Sequence, residues 1–287
     1  MSPTEPHIIT EVCELRGWAE QIRAEGRRIA LVPTMGALHE GHLSLVRLAH
    51  ARADRVVVSI FVNPTQFGPN EDLKHYPRDL ASDLSRLRGN GVDVVFTPSV
   101  REMYPEGGAT WVEVERLGEG MCGRHRPGHF RGVTTIVARL FNVARPHVAV
   151  FGEKDYQQLV VIRRMARDLL FDLEIVAGPT VREPDGLAMS SRNAYLTPEA
   201  RQQARALNAA LHEVRELVRS GELDTKRLVA AARNRIEKEP LAEIDYIEIR
   251  DAESLEPLSR LDRRAVLGLA VRVAATRLID NTILEAV

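Results

Sequence analysis

Between residues 28 and 177 the chain alternates short, almost wholly apolar runs with stretches whose apolar residues recur every three or four positions. Runs of the first kind, at 28–33, 55–62, 92–97, 147–151 and 173–177, predict strands buried on both faces. Runs of the second kind, at 41–52, 78–88, 132–144 and 156–168, predict helices. Strand, helix and strand in that rhythm mark a parallel sheet, so residues 1–180 are expected to form a doubly wound α/β domain. After Pro198 the texture changes. Helices at 198–220 and 225–238 and strands at 244–250 and 265–274 predict a smaller α+β C-terminal domain, residues 181–287. The Gly178-Pro179 step, which disfavours any continuing regular element, is the expected boundary.

Composition narrows the function classes. Lys+Arg 39 against Asp+Glu 40 leaves a formal net charge of -1, so no global field draws the chain to nucleic acid or to an anionic membrane. Any anion site must be local. Cys13 and Cys122 are the only cysteines and stand far apart, which argues against a disulfide framework and against a zinc cluster. No run of about 18 apolar residues suggests a membrane span. Pro3, Glu5 and Pro6 sit where an export signal needs a basic flank and an apolar stretch, so a cytoplasmic protein is the simplest expectation.

In a doubly wound sheet, ligands bind beyond the carboxyl ends of the strands, and those segments are unusual here. The first predicted strand runs into Pro33, Thr34, Met35, Gly36, Ala37, Leu38, His39, Glu40, Gly41 and His42, directly before a helix. Glycines let phosphates approach the backbone, and a helix N-terminus offers free N–H groups. His39 and His42, three apart, are expected on the helix's first turn, aimed at one phosphate cluster. The spacing is one residue short of the HExxH of zinc hydrolases. After the second strand, Asn63 and Gln66 supply neutral amides suited to hydroxyl and carboxylate groups, although Asn63 before Pro64 also suits a plain turn. After the fourth come Gly152, Glu153, Lys154, Asp155 and, one turn on, Gln158. Only Lys74, Lys154, Lys226 and Lys238 are lysines, so one placed beyond a buried strand is expected to meet phosphate. Met189, Ser190, Ser191 and Arg192 add hydroxyl and guanidinium donors. The Gly-, Arg- and His-rich stretch 121–132 reads as a mobile covering loop.

Five segments occur in one order: PTMGALHEGH at 33–42, FVNPTQFG at 61–68, RPGHFRGV at 126–133, FGEKDYQQL at 151–159 and DGLAMSSRNAYL at 185–196. Together they resemble the pantoate–β-alanine ligases of the nucleotidylyltransferase superfamily, nearly end to end. HxGH alone would fit other nucleotidylyltransferases, which leave the nucleotide on their product; FVNPTQFG and GEKDYQQL separate this family from those. A non-catalytic nucleotide-binding module is the other alternative, and the full set of phosphate ligands speaks against it. Thr65 stands where members often carry Met.

The resemblance implies a Rossmann-like domain followed by a C-terminal lid, and a two-step reaction through pantoyl adenylate that releases pyrophosphate and AMP. It implies ATP contacts at Pro33, Thr34, Met35, Gly36, His39, Gly41, His42, Gly152, Glu153, Lys154, Asp155, Val181, Met189, Ser190, Ser191 and Arg192. His42, His39, Lys154 and Arg192 would carry catalysis, with His42 the proton donor to departing pyrophosphate. Gln66, Gln158, Met35 and Asn63 would hold pantoate, and Gln66 would also meet β-alanine. Tyr76 and Arg126 are carried over to the substrate and second-step region. Mg²⁺ is expected on the phosphates rather than on protein ligands, and a homodimer is implied.

Overall fold

The computed structural model describes residues 5–69 and 71–285. In chain order the regular elements are β1 (His7–Ile9), α1 (Val12–Ala24), β2 (Ile29–Thr34), α2 (Glu40–His50), β3 (Arg55–Ile60), α3 (Leu80–Leu87), β4 (Val94–Phe96), α4 (Val100–Met103), α5 (Cys122–His125), α6 (His129–Ala144), β5 (Val148–Gly152), α7 (Tyr156–Asp168), β6 (Glu174–Gly178), α8 (Pro198–Ala204), α9 (Ala206–Arg219), α10 (Thr225–Ile236), β7 (Ala242–Asp251), β8 (Ala265–Val273) and β9 (Thr276–Leu284).

Two compact units divide the chain, and a single boundary at Gly178 does not describe them. The first holds residues 1–115, 126–153 and 161–179; the second holds 116–125, 154–160 and 180–287. Helix α7 therefore contributes its opening residues to one unit and the rest to the other.

The first unit is a six-stranded, all-parallel sheet in the order β1-β4-β3-β2-β5-β6. The chain runs outward from β2 to β3 and β4, then returns to place β5 on the other side of β2. That reversal is the switch point of a doubly wound sheet, where a crevice opens at the strands' carboxyl ends. Apolar side chains explain the layering: Ala30, Val32, Val56, Val58, Val95, Val148 and Val150 pack with Leu45, Val46 and Ala49 of α2. The sequence pattern does not disclose β1 or α1. Strand β1 has only three residues, of which His7 and Ile8 are exposed, and α1 buries just Leu15, Ala19 and Ile22.

The second unit carries the antiparallel sheet β7-β8-β9, of which β9 is also undisclosed by the pattern. Its alternation is interrupted by Asp280, a buried carboxylate gripped by both terminal nitrogens of Arg182 at 2.7 and 2.9 Å. The long helix expected at 198–220 is two, α8 and α9, parted at Arg205, which keeps near-helical angles (φ -61, ψ -20) and has neither proline nor glycine to announce the break. Ala204, Leu207, Leu211, Val214 and Leu228 pack on Leu267, Leu269 and Val271 to form the core of this unit.

Candidate active site

The strand β2 ends on a turn held from inside the first unit. Gly36 and Ala37 both take positive φ, +82° and +51°. An added Cβ at Gly36 would stand 2.9 Å from a carboxylate oxygen of Asp83, which explains the glycine there. Thr34 Oγ1 donates to the carbonyl of Ser59 at 2.7 Å and accepts from the Gly36 amide at 3.2 Å. The chain then enters α2, where Leu38 and Leu43 flank the helix start within one apolar cluster.

The two histidines come together, though not as expected. His39 is the residue before the helix, in extended backbone (φ -141, ψ 177), and only His42 lies on the first turn. Their rings still meet, with centroids 4.1 Å apart and planes tilted by 40°. The His39 amide donates to His42 Nδ1 at 3.2 Å, which fixes the second ring against the backbone. An imidazole pair heading a helix that begins at the sheet's switch point suits an anion whose charge grows during reaction.

Beside it, a 3₁₀ turn at Pro64–Gln66 follows β3. This turn lies directly on α6: a Cβ added at Gly132 would be 2.4 Å from the carbonyl oxygen of Thr65, so only glycine permits the approach. Asn63 is 1% exposed and its side chain is fully employed. Its amide donates to the Gln66 side-chain carbonyl at 3.0 Å and to the Gly132 carbonyl at 3.1 Å. Its oxygen accepts from Thr65 Oγ1 at 2.9 Å and from Tyr104 OH at 2.8 Å. The Thr65 hydroxyl thus joins a network that a methionine at that position would lack. The Gln66 amide in turn lies 3.1 Å from the Met35 sulfur, so the turn after β2 touches the turn after β3.

Arg126 and Tyr76 are committed to the protein around this turn. Arg126 holds Glu71 through Nε at 2.7 Å and Nη2 at 2.6 Å, and also donates to the backbone carbonyl of Gln66 at 3.2 Å. Burial alone would raise the Glu71 carboxyl, but the adjoining Arg126 guanidinium outweighs it and holds the group below the ordinary value. His129 Nδ1 reaches the same Gln66 carbonyl at 2.8 Å. Tyr76 is buried, edge-on to Phe67 with centroids 5.9 Å apart. The stretch expected to be a mobile cover, 121–132, is instead tied down on both its halves: Cys122, in the second unit, donates its amide to Gln157 Oε1 at 3.0 Å, and Arg126 is bound as described.

In the second unit Lys154 lies on a 3₁₀ turn, Glu153–Asp155, that continues from β5. Its Nζ is 3.8 Å from Asp155 Oδ2, a loose pair, and its carbonyl accepts from Asn281 at 2.8 Å. The two glutamines that follow differ. Gln157 is buried and bonds to the carbonyls of Leu117 and Gly120, both at 2.9 Å. Gln158 is partly exposed and makes no side-chain hydrogen bond among the described residues, so it is the one available to a ligand. Val181 and Met189 face each other across a narrow loop closed by a 2.9 Å backbone bond. Ser190 caps the 3₁₀ turn Ser191–Tyr195, accepting from the Arg192 amide at 3.3 Å. Asn193 behind it is buried and anchored to Glu183 at 2.7 Å. Among the described residues, no group of three or more His, Cys, Asp or Glu side chains could hold a metal ion, and no helix is long and apolar enough to cross a membrane.

A family model described as pantoate-beta-alanine ligase matches residues 7–283. The chain belongs to the pantoate–β-alanine ligase family. It is therefore a ligase that joins pantoate to β-alanine, driven by ATP. The pantothenate synthetase of Pelotomaculum thermopropionicum is 55% identical over 278 residues, 96% of this chain and 98% of that one. That of Moorella thermoacetica is 55% identical over 282 residues, covering 97% and 98%. Among solved structures, the pantothenate synthetase of Thermus thermophilus aligns with a TM-score of 0.91 at 48% identity, over 96% of this chain and 98% of that one. The pantoate-beta-alanine ligase of Francisella tularensis, solved with β,γ-ATP and β-alanine, aligns at a TM-score of 0.77 and 34% identity over 97% of both chains. Two contributions to the candidate site escape a reading of the sequence. Asp83 and Thr65 act on the loops through partners that spacing along the chain does not reveal.

Proposed function

We propose that this ligase works in two steps through pantoyl adenylate, and that its residues divide the labour as follows. The Met35–His42 turn receives ATP, His39 orients the phosphates, and His42 donates a proton to the departing pyrophosphate. Gln66 and Gln158 hold pantoate, whose carboxylate attacks the α-phosphate; the β-alanine amine, near Gln66, then attacks the acyl carbon and expels AMP. In the second unit Lys154 and Arg192 neutralise phosphate charge, Asp155 meets the ribose, and Val181 and Met189–Ser191 line the nucleotide. A magnesium ion carried on the phosphates of the nucleotide would shield their charge. The chain is taken to act as a homodimer, on the resemblance alone, and sedimentation would test this.

The observation that carries this reading is the contact between Gln66 and Met35. It brings the end of the proposed nucleotide turn against the proposed pantoate residue, so acid and α-phosphate can meet without any protein nucleophile between them. The Francisella relative's complex with β-alanine and an ATP species supports the choice of ligands. Asn63 is reassigned: with both ends of its amide engaged, it orients Gln66 rather than touching pantoate. Pantoate-dependent exchange of labelled pyrophosphate into ATP, with β-alanine omitted, tests the reading. Exchange that requires β-alanine would rule out a separate adenylation step.

A further inference from the structure

Asp83 lies on α3, 3% exposed, in a helix whose sequence would place a carboxylate in solvent. Its two oxygens are spent on the turn after β2. Oδ2 accepts the Ala37 amide at 3.0 Å and Oδ1 accepts the Leu38 amide at 2.7 Å. Both amides belong to the stretch where Gly36 and Ala37 adopt left-handed backbone, which is strained for a non-glycine residue and persists only when its surroundings hold it. Two successive N–H groups converging on one carboxylate form such a clamp. Burial lifts the Asp83 carboxyl above the ordinary aspartate range, and the Leu38 and Ala37 amides act against that rise.

We infer that Asp83 is a positioning residue for adenylate formation: it locks the Gly36–Leu38 turn in its left-handed form and thereby sets Met35 on one side and the His39–His42 pair on the other. The amides of Ala37 and Leu38 serve this internal anion and are not phosphate ligands, so the phosphates are left to the imidazoles and the head of α2. The inference rests on the reading that this turn serves the nucleotide step.

Asp83→Asn keeps the shape but turns an N–H₂ group toward one of the two amides. With folding intact by circular dichroism, it should slow pantoate-dependent pyrophosphate exchange by about tenfold or more, as misplacement of an aligned site does. Aminolysis of preformed pantoyl adenylate should stay within about threefold, the spread expected when an interaction serves one step alone. The imidazole nitrogen resonances of His39 and His42 should shift with it. In the unaltered enzyme without nucleotide, the Ala37 and Leu38 amide protons should already be protected from solvent exchange, a measurement that needs no variant to fold. Unchanged exchange kinetics together with unshifted histidine resonances would overturn the inference, as would amides that become protected only when ATP is added. His42→Gln run alongside separates the two layers: if it leaves pyrophosphate exchange untouched, the reading of the turn fails, while resonances and amide protection still decide the role of Asp83.

Discussion

The Asn63 side chain donates to the carbonyl oxygen of the Gln66 side chain across 3.0 Å, and so fixes which end of Gln66 is offered outward. An amide can present either a donor or an acceptor; here the acceptor is taken and the amino group remains, beside Met35. A donor suits pantoate, whose hydroxyls and carboxylate can all accept. Asn63→Ala should therefore raise the KM for pantoate by about tenfold or more while the KM for ATP moves by less than about twofold, since the loss falls on one substrate's hydrogen bonds. Steady-state kinetics with each substrate varied in turn checks it, and equal rises would mean the whole turn has shifted.

Replacing Gln66 or Gln158 by Glu keeps the size and sets a negative charge against pantoate's carboxylate. Pantoate binding should weaken by about 1–3 kcal/mol in calorimetric titration, with ATP binding much less affected. Gln157→Glu should behave differently, costing stability instead, because Gln157 Nε2 donates to the Leu117 and Gly120 carbonyls inside the second unit.

Among the described residues Lys154 makes only a loose ion pair, at 3.8 Å, and stability should not depend on it. Lys154→Ala should lower kcat by about 10²-fold, near 3 kcal/mol, with an unchanged melting temperature. Near-normal turnover would mark it as an idle surface charge.

His42→Gln should slow adenylate formation more than aminolysis, since a proton is needed as pyrophosphate leaves and not when the amine attacks. Single-turnover measurement of each half, the second from preformed adenylate, decides it. Equal slowing of both would reassign the ring to holding the adenylate.

The Glu71–Arg126 pair predicts a pH dependence of stability. The folded protein holds the Glu71 carboxyl below its ordinary 4.5, so the pair's contribution is complete above that pH and disappears as pH falls through the lower, folded value. Urea unfolding of the wild type and of Glu71→Gln should differ by about 2 kcal/mol at pH 7, as for hydrogen bonds to a charged group, and the gap should close as the pH is lowered into the acid range below that ordinary value. A gap that widened in acid would contradict the assignment.

Much of this was readable from the chain because buried parallel strands announce themselves as apolar runs and the chemistry follows them directly. The five strands expected in the first unit lie within two residues of their expected limits, and the histidine, glutamine and lysine segments sit at strand exits. What stayed hidden had a physical reason in each case. Strand β1 is too short to show a period, and β9 hides its alternation behind Asp280, whose burial depends on Arg182. The place of His39 before the helix, not on it, is decided by backbone angles that no spacing records. Asp83 reads as an ordinary polar residue of an amphipathic helix, because its partners lie about 45 residues away.

Strand β1 touches the sheet through β4 alone, and β4 in turn is three residues of bare apolar backbone, Val94 to Phe96, with no exposed side chain. Ile8 and its neighbours act as a selvedge that keeps the fabric from fraying into its neighbours. A version of the chain beginning after residue 11 would retain every group named in the chemistry, yet it would present an unpaired, sticky margin to each copy it met. Its failure would show first as turbidity growing with concentration, well before any loss of turnover per folded molecule.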